Sequence, residues 1–174
     1  MRSTLWIIDG NNLIRRAEPF ASVFEERGFD AARPLLESAL GRFRAKLGRG
    51  HSIVVAYDGR PVDRPTRPVG KGLRIVYPGS GGDADRVVLE EARRAEGRQE
   101  VYVVTSDRQD IAARVRGLRV NVLSAEDFAA RLSALPGAGD APGSSEEKPA
   151  APSGSQLDHW LKEFGVEDSE DEGE

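Results

Sequence analysis

The sequence predicts a single three-layer α/β domain with a mostly parallel sheet of five strands. Two observations lead to this fold class: short, continuous apolar runs are typical of buried strands, and amphipathic helical patterns lie between them. Strands that alternate with helices favour a parallel sheet, because right-handed crossovers place helices on both of its faces. The chain has 174 residues, of which 39% are hydrophobic, so it can bury one core of ordinary size.

The predicted strands and helices alternate along the first 135 residues. The five predicted strands are Leu5–Ile8, Ile53–Tyr57, Leu73–Tyr77, Val101–Val104 and Val120–Leu123. The clearest helix lies between the first two strands, where apolar residues recur at helical spacing. These residues are Leu36, Ala39, Leu40, Phe43 and Leu47. Further helices follow Asp83 and Asp107, and the last begins at Ser124, where Asp127 completes a capping box.

The composition changes after the predicted domain, which covers residues 1–135. Residues 136–156 are rich in Pro, Gly, Ala and Ser and are predicted to form a flexible linker. Residues 157–174 combine an apolar stripe with a disordered acidic end, in which six of the last eight residues are carboxylates. The stripe consists of Leu157, Trp160, Leu161 and Phe164. Its spacing fits an amphipathic helix that binds a partner protein; a solubilising tail and an acidic segment that mimics RNA are the alternatives.

The charge of the chain is divided between these parts. Residues 1–136 carry 23 basic and 18 acidic side chains, a net charge of +5, whereas residues 137–174 carry 2 and 11, a net charge of −9. Arginine outnumbers lysine by 21 to 4, and the planar fork of the guanidinium suits phosphate binding. The base composition of a genome explains the same bias, so arginine content alone does not decide for phosphate.

Cysteine content and apolar segments indicate the setting of the protein. The chain has no cysteine, which excludes disulfides, thiolate chemistry and zinc sites of the cysteine type. The apolar run near the N-terminus is only Leu5–Ile8, too short for a signal sequence or a membrane span. We therefore expect a cytoplasmic protein without a membrane partner.

Aspartates follow three of the predicted strands. Asp9, Asp58 and Asp107 come after the first, second and fourth strands. The carboxyl ends of parallel strands meet at one edge of a sheet, and the helix start that carries Asp83 and Asp85 lies at that edge. Five carboxylates repel one another unless a cation neutralises them, and their oxygens suit Mg²⁺ or Mn²⁺. Such metals support the hydrolysis of phosphodiester bonds.

Each aspartate also has a simpler explanation. Asp is common at strand ends and is a favoured N-cap of helices. Asp83 is the strongest candidate for a helix cap alone, because an apolar helical pattern begins just behind it. Asp58 followed by Gly59 fits a turn. The metal hypothesis therefore depends on the whole set and not on any one member.

Three other kinds of site fit the sequence less well. A Ser-His-Asp hydrolase needs a histidine at the active edge, but His51 precedes its strand and His159 lies in the tail. The segment Gly79–Ala84 matches a dinucleotide-binding motif only weakly, because it follows the third strand and its acids repel a pyrophosphate. A metal-dependent phosphatase stays an alternative, although an aspartyl nucleophile usually has a second Asp two residues later and Asn11 stands there.

A basic loop follows Asp58. Across residues 60–74 five basic side chains oppose a single acid, Asp63, which gives a net charge of +4, and three prolines keep the segment extended. Beside the acidic edge, such a loop fits the backbone of a nucleic acid, and an ordinary solvated loop is the alternative. The candidate RNA-binding residues are Arg60, Arg64, Arg67, Lys71, Arg74 and, after the fourth strand, Arg108.

Three short motifs stand in order along the chain. They are Asp9-Gly10-Asn11-Asn12, Ala84-Asp85 and Thr105-Ser106-Asp107-Arg108. Over about residues 3–135 this set resembles the YacP-like branch of the NYN domains, which are relatives of the PIN nucleases. The resemblance implies a PIN-like α/β fold, metal-dependent endoribonuclease activity and a link of bacterial members to ribosome-associated mRNA turnover. It also implies an acidic metal-binding pocket formed by Asp9, Asn12, Asp85 and Asp107.

These inferences combine into one hypothesis for the site. Asp9, Asp85 and Asp107 hold one or two Mg²⁺ or Mn²⁺ ions, and Asn12 orients a water or a phosphate oxygen. The additional candidate ligands, outside the resembled pattern, are Asp83 and Asp110. RNA is the expected substrate and the ribosome a candidate partner. The alternative is a catalytically weak RNA-binding or ribosome-binding module of the same fold.

Overall fold

A mostly parallel sheet forms the middle layer of the protein. The computed structural model describes residues 3–59, 67–68, 70–78, 83–107, 111–115 and 117–135. The described strands are β1 (Thr4–Asp9), β2 (His51–Ala56), β3 (Arg67–Pro68), β4 (Leu73–Val76), β5 (Glu100–Val104) and β6 (Asn121–Leu123). Their order in the sheet is β3-β4-β2-β1-β5-β6, and all neighbours are parallel except β3 and β4. The predicted mostly parallel sheet of five strands is confirmed. The two-residue β3, which lies within the basic loop, is an additional antiparallel strand at the edge of the sheet.

Helices cover both faces of this sheet. Their bounds are α1 (Gly10–Arg16), α2 (Phe20–Arg27), α3 (Phe29–Lys46), α4 (Ala84–Ala95), α5 (Ile111–Val115) and α6 (Ala125–Ser133). The amphipathic helix predicted before the second strand is α3, in which Leu36, Leu40 and Phe43 are fully buried. Ser124 caps α6 as predicted, since its side chain accepts a hydrogen bond of 3.0 Å from the Asp127 N–H.

Two hydrophobic cores show that the fold has three layers. Successive side chains of a strand point to opposite faces, so β1 contributes to both cores. Trp6 and Ile8 pack with residues of α1, α3 and α6 on one face. Leu5 and Ile7 pack with residues of α4 and α5 on the other. The predicted three-layer α/β arrangement is therefore confirmed.

The order of the strands reverses next to β1. The chain adds β2 and β4 on one side of β1 and then returns to add β5 and β6 on the other side. The helix after β1 packs on one face of the sheet, and the helix after β5 packs on the opposite face. In open α/β sheets, helices that diverge in this way leave a crevice at the carboxyl ends of the two strands, and ligands bind there.

Part of the sequence analysis falls outside the described residues. The predicted linker at residues 136–156 and the predicted tail at residues 157–174 are both there. Within the described ranges, no helix has the length and apolar character needed to cross a membrane.

Candidate functional site

The predicted acidic edge lies at the point where the strand order reverses. Asp9 ends β1, Asp58 follows β2, and Asp107 follows β5, so three neighbouring strands deliver carboxylates to one edge. Asp83 and Asp85 stand at the start of α4. The carboxylates of Asp85, Asp58 and Asp107 are all close enough to Asp9 to repel its negative charge. The structure therefore brings four of the five predicted acids into one electrostatic group.

Asp9 is the most buried acid of this group, with 6% of its surface exposed. Burial and, to a smaller extent, repulsion by Asp85, Asp58 and Asp107 together raise the pKa of its carboxyl to about 6. The backbone N–H of Asn12 donates a hydrogen bond of 2.9 Å to Asp9 Oδ1, which opposes this rise and caps α1. The carboxylate is ionised at neutral pH in surroundings that disfavour its charge, and a bound cation would relieve this.

Asp58 joins three segments of the site. Its Oδ2 accepts a hydrogen bond of 3.1 Å from Asn11 Nδ2, and its own N–H donates to Asn11 Oδ1 over 3.3 Å. Its Oδ1 accepts a hydrogen bond of 2.8 Å from the Ala84 N–H, at the first turn of α4. The turn former of the sequence analysis thus fastens the helix that carries Asp85 to the end of β2. Sequence analysis missed the role of Asn11, which is 6% exposed, because its partner lies 47 residues away.

The start of α4 gives its two aspartates different surroundings. Asp83 is exposed and caps the helix, since its Oδ1 accepts a hydrogen bond of 2.9 Å from the Arg86 N–H. This geometry agrees with the simpler explanation for Asp83. Asp85 is partly buried and repels Asp9. Of the two, Asp85 is the acid that belongs electrostatically to the site.

Asn12 positions the loop that carries Asp107. Its Oδ1 accepts a hydrogen bond of 2.8 Å from the Ser106 N–H, across 94 residues of sequence. The Asp107 N–H in turn donates to Thr105 Oγ1 over 3.1 Å. With its side-chain oxygen accepting from Ser106, Asn12 has Nδ2 as its donor toward a substrate. Its amide therefore suits donation to a water or phosphate oxygen.

Ser106 also ties this loop to α6. Its hydroxyl accepts a hydrogen bond of 2.9 Å from the Ala125 N–H and donates a short one to Glu126. The hydrogen bond from Ser106 lowers the pKa of the Glu126 carboxyl. The loop before Asp107 is thereby held from two sides, by α1 through Asn12 and by α6.

The donor set fits a cation that keeps most of its own water. In the described part of the chain, no three side chains of the Asp, Glu, His or Cys type are placed so that all could hold a metal ion directly. Mg²⁺ usually retains several waters and takes only one or two protein carboxylates. Asp9 with Asp85 or Asp107 supplies oxygen ligands of that number and kind. These residues could therefore hold a hydrated Mg²⁺ or Mn²⁺ ion.

The predicted basic residues are only partly described. Arg60, Arg64, Arg108 and the predicted ligand Asp110 lie outside the described residues, as does the side chain of Arg67. Lys71 is exposed. Arg74 lies in register with Val54, four residues before Asp58, or roughly 13 Å from that edge at the rise of a strand. Its Nη2 pairs with Glu91 Oε2 of α4 at 2.8 Å. RNA binding by these residues stays a prediction.

The histidine positions agree with the argument against a histidine-dependent hydrolase. His51 begins β2 and so lies at the opposite edge of the sheet from the acids. His159 lies outside the described residues. Within the described ranges, the acidic edge has no imidazole to act as a general base.

The chain is similar to known proteins in both sequence and fold. Its sequence matches the family model of the YacP-like NYN domain over residues 6–169, which extends beyond residue 135 into the predicted linker and tail. The crystal structure of Rae1 (YacP) from Bacillus subtilis matches with a TM-score of 0.61 and 17% identity, covering 74% of this chain and 73% of that one. A mutant of Rae1 with leucine in place of a tryptophan matches with a TM-score of 0.58 and 16% identity, covering 74% of both chains. No curated protein matches in sequence.

The family match and the solved structures answer different questions. At identities of 16% and 17% the two structures establish a shared fold. The family model establishes membership, because it covers most of the chain and includes all three motifs that carry the resemblance. This chain belongs to the YacP-like NYN domain family, a family of PIN-like nucleases.

Proposed function

We propose that the protein is an endoribonuclease that hydrolyses phosphodiester bonds in RNA with Mg²⁺ or Mn²⁺ bound at its acidic edge. The observation that carries this proposal is the environment of Asp9, where burial and three neighbouring acids raise the pKa to about 6. A bound cation balances that concentration of negative charge. Membership in a PIN-like nuclease family supports the same class of reaction.

The residues of the site have separate roles in this reaction. When bound, Mg²⁺ or Mn²⁺ supplies charge neutralisation at the scissile phosphate and a water of lowered pKa. Asp9 together with Asp85 or Asp107 would hold the cation directly, and the third carboxylate would bind one of its waters. Asn12 donates from Nδ2 to a phosphate oxygen or to the attacking water, because its Oδ1 is bound to the Ser106 N–H. This donation aligns the two reacting groups.

Two further residues act by positioning. Asp58 holds the first turn of α4 through the Ala84 N–H and so fixes where Asp85 stands. Asn11 holds Asp58 through hydrogen bonds in both directions. Loss of either residue should displace Asp85 and slow the reaction less than loss of Asp85 itself.

Cleavage of a labelled single-stranded RNA by the purified protein tests the proposal. We expect cutting with Mg²⁺ or Mn²⁺ and none with EDTA. Asp9→Asn should lower the rate by about 100-fold or more, because it removes a carboxylate ligand while keeping the shape of the side chain. Asp127→Asn is the matched control, since Asp127 is exposed in the first turn of α6, and should cleave at nearly the native rate.

Other results have different meanings. Full activity of Asp9→Asn, or undiminished cutting in EDTA, would contradict the proposed metal site. Cutting of RNA on translating ribosomes but not of free RNA would identify a substrate that the ribosome presents. No cutting of either substrate, with Mg²⁺ binding by calorimetry intact, would overturn the enzyme and favour a binding module of the same fold.

A further inference from the structure

Two arginines and three aromatic rings alternate in a row along the helical layer that contains α1, α2 and α3. Arg33 Cζ lies 5.3 Å from the centroid of the Tyr57 ring and 5.4 Å from that of Phe29. Arg15 Cζ lies 5.2 Å from the Phe29 centroid and 5.9 Å from that of Phe24. Each distance is within the range of a cation–π contact. We call these five side chains the arginine–aromatic row.

The arginine–aromatic row begins at the acidic edge. Tyr57 directly precedes Asp58, and its ring lies so close to Gly10 that a Cβ atom there would overlap it. Gly10 follows Asp9 at the start of α1. The Tyr57 ring therefore lies between Arg33 and the turn that carries Asp9. Arg33 also lies in the second turn of α3, at the end of that helix farther from the start of β2.

Both guanidinium groups retain unused donors. The Arg15 side chain is exposed and has no hydrogen bond or ion pair with any residue that the structure describes. The Arg33 side chain is 18% exposed, and its buried Nε finds no hydrogen-bond partner among the described residues. Asp30 lies 3.9 Å from Arg33 Nη1, but its side chain is 93% exposed, so this pair is weak. The structure thus holds two cations in place without neutralising them.

Packing against rings is a way to fix a guanidinium while leaving its hydrogen-bond donors free. The ring contacts orient the plane of the group, and the N–H fork at its edge matches a phosphate. Tyr57 is fully buried, and Phe24 and Phe29 are partly buried. These rings therefore hold the arginines in place and are not available to stack on bases. A site of this kind recognises the charge of the phosphates and does not distinguish one base from another.

We propose that Arg15 and Arg33 form a phosphate-binding subsite for the RNA strand that enters or leaves the acidic edge. This inference rests on the proposed function, since it takes RNA as the ligand. It assigns RNA binding to the face that carries α1 to α3, whereas the predicted basic loop follows β2. A single strand whose scissile phosphate reaches Asp9 continues past Tyr57, and the arginine–aromatic row offers its next phosphates two fixed cations.

Binding of a fluorescein-labelled single-stranded RNA in EDTA, followed by anisotropy at several salt concentrations, tests the subsite apart from cleavage. We expect Arg15→Gln combined with Arg33→Gln to bind roughly tenfold or more weakly. The slope of log K against log salt should fall by about 1.4, or roughly 0.7 for each phosphate contact of a single strand. Arg42→Gln is the matched control, because Arg42 is a partly exposed arginine on α3 about 14 Å farther along the axis. It should bind within about twofold of the native protein.

A third variant separates loss of the contact from loss of structure. Arg33→Lys keeps the charge but loses the planar fork, so it should retain the native salt slope while binding about threefold more weakly. Circular dichroism melts confirm that each variant is folded at the assay temperature. Binding of the double variant equal to that of Arg42→Gln would overturn the subsite, as would the absence of any RNA binding by the native protein.

The two proposals fail in different assays. Arginine-dependent binding without Mg²⁺-dependent cleavage would overturn the proposed endoribonuclease and support the subsite. Mg²⁺-dependent cleavage with unchanged binding by the double variant would support the enzyme and overturn the subsite.

Discussion

Asp9 and Glu91 are buried to nearly the same extent, with 6% and 8% of their surfaces exposed, yet their neighbours have opposite charges. Glu91 lies between two arginines, with Oε2 2.8 Å from Arg74 Nη2 and Oε1 3.1 Å from Arg94 Nη1. The charged neighbours that act on Asp9 are three other carboxylates. The chain neutralises Glu91 with its own arginines, whereas the charged groups that shift the pKa of Asp9 are all acidic.

The difference teaches that burial of a carboxylate does not by itself mark a functional site. A buried acid between cations completes an ion-pair network within the fold. A buried acid among other acids destabilises the fold, and such an arrangement is typical of a site that binds a cation. The sign of the surrounding charge therefore separates the acidic edge from the surface between β4 and α4.

Cleavage should show the largest contrast between the two acids. Asp9→Asn should lower the rate of RNA cleavage by about 100-fold or more, because the cation loses a ligand. Glu91→Gln should stay within about twofold of the native rate at a temperature where it is folded, because Glu91 lies six residues beyond Asp85 on α4, about 9 Å along the helix axis, and pairs with Arg74. Measured single-turnover rates that fall equally for both variants would break the comparison.

The pH dependence of stability should reveal the second largest effect. The folded-state pKa of Asp9 is raised from the ordinary 3.8 to about 6, so the folded protein binds this proton more tightly than the unfolded chain does. The native protein should therefore lose stability relative to Asp9→Asn as the pH rises from 4 through 6. Above pH 7 the difference should level off at up to about 3 kcal/mol, at 1.36 kcal/mol for each pKa unit.

Urea unfolding of both proteins between pH 4 and pH 8, without metal, measures this difference. Asp9→Asn should be the more stable protein above pH 6, and the two curves should converge near pH 4. Parallel curves throughout the range would show that folding does not raise the pKa of the Asp9 carboxyl.

Replacement of Glu91 should change stability in the opposite direction. Glu91→Gln should lower the free energy of unfolding by roughly 1–2 kcal/mol, because Arg74 and Arg94 lose their shared acid. The partial exposure of the arginine side chains, 43% and 65%, keeps the loss below that of a fully buried pair. Glu90→Gln is the control, since its pair with Arg86 is exposed and 3.7 Å long. A change in the free energy of unfolding below about 0.5 kcal/mol for Glu91→Gln would show that the two arginines do not stabilise Glu91, and the contrast with Asp9 would be lost.

The smallest expected effect is the stabilisation by a metal ion. At ten times its dissociation constant, Mg²⁺ should raise the free energy of unfolding by about 1.4 kcal/mol and the melting temperature by roughly 3–5 °C. The melting temperature of Asp9→Asn should rise by less than about 1 °C in Mg²⁺, since this variant lacks the buried Asp9 carboxylate. Scanning calorimetry with Mg²⁺ and with the same ionic strength of NaCl distinguishes specific binding from screening. An equal response of both proteins to Mg²⁺ would place the cation elsewhere.

Much of the fold could be predicted because its signals are local. The apolar runs predicted all five strands of the parallel sheet within two residues at each end, since buried parallel strands are continuous in sequence. The periodicity of α3, a helix of 18 residues, was visible from Leu36 to Leu47. The helices α1 and α2 have 7 and 8 residues, too few to show a period, and were not predicted. β3 has only two residues, one of them Pro68, and its pairing depends on tertiary context.

The acidic edge could be predicted and its supporting contacts could not. Strand ends in a parallel sheet share one edge whatever the loops do, which is why Asp9, Asp58 and Asp107 could be grouped from sequence. The hydrogen bonds that fix them join residues 26, 47 and 94 positions apart, and no local pattern encodes these. The arginine–aromatic row was missed for the same reason, because it brings α1, α2, α3 and the end of β2 together. The position of Arg74, in contrast, could be predicted from sequence, because Arg74 lies within the predicted strand Leu73–Tyr77, which is β4 in the structure.

The hydrogen bond between Asn12 and the Ser106 N–H has a consequence for synthesis of the protein. Asp9 and Asn12 are synthesised before Ser106 and Asp107, and 94 residues separate Asn12 from Ser106. A nascent or truncated chain that stops before β5 therefore carries only part of the acid set. In the proposed reaction, such a chain is inert while it is still attached to its own message.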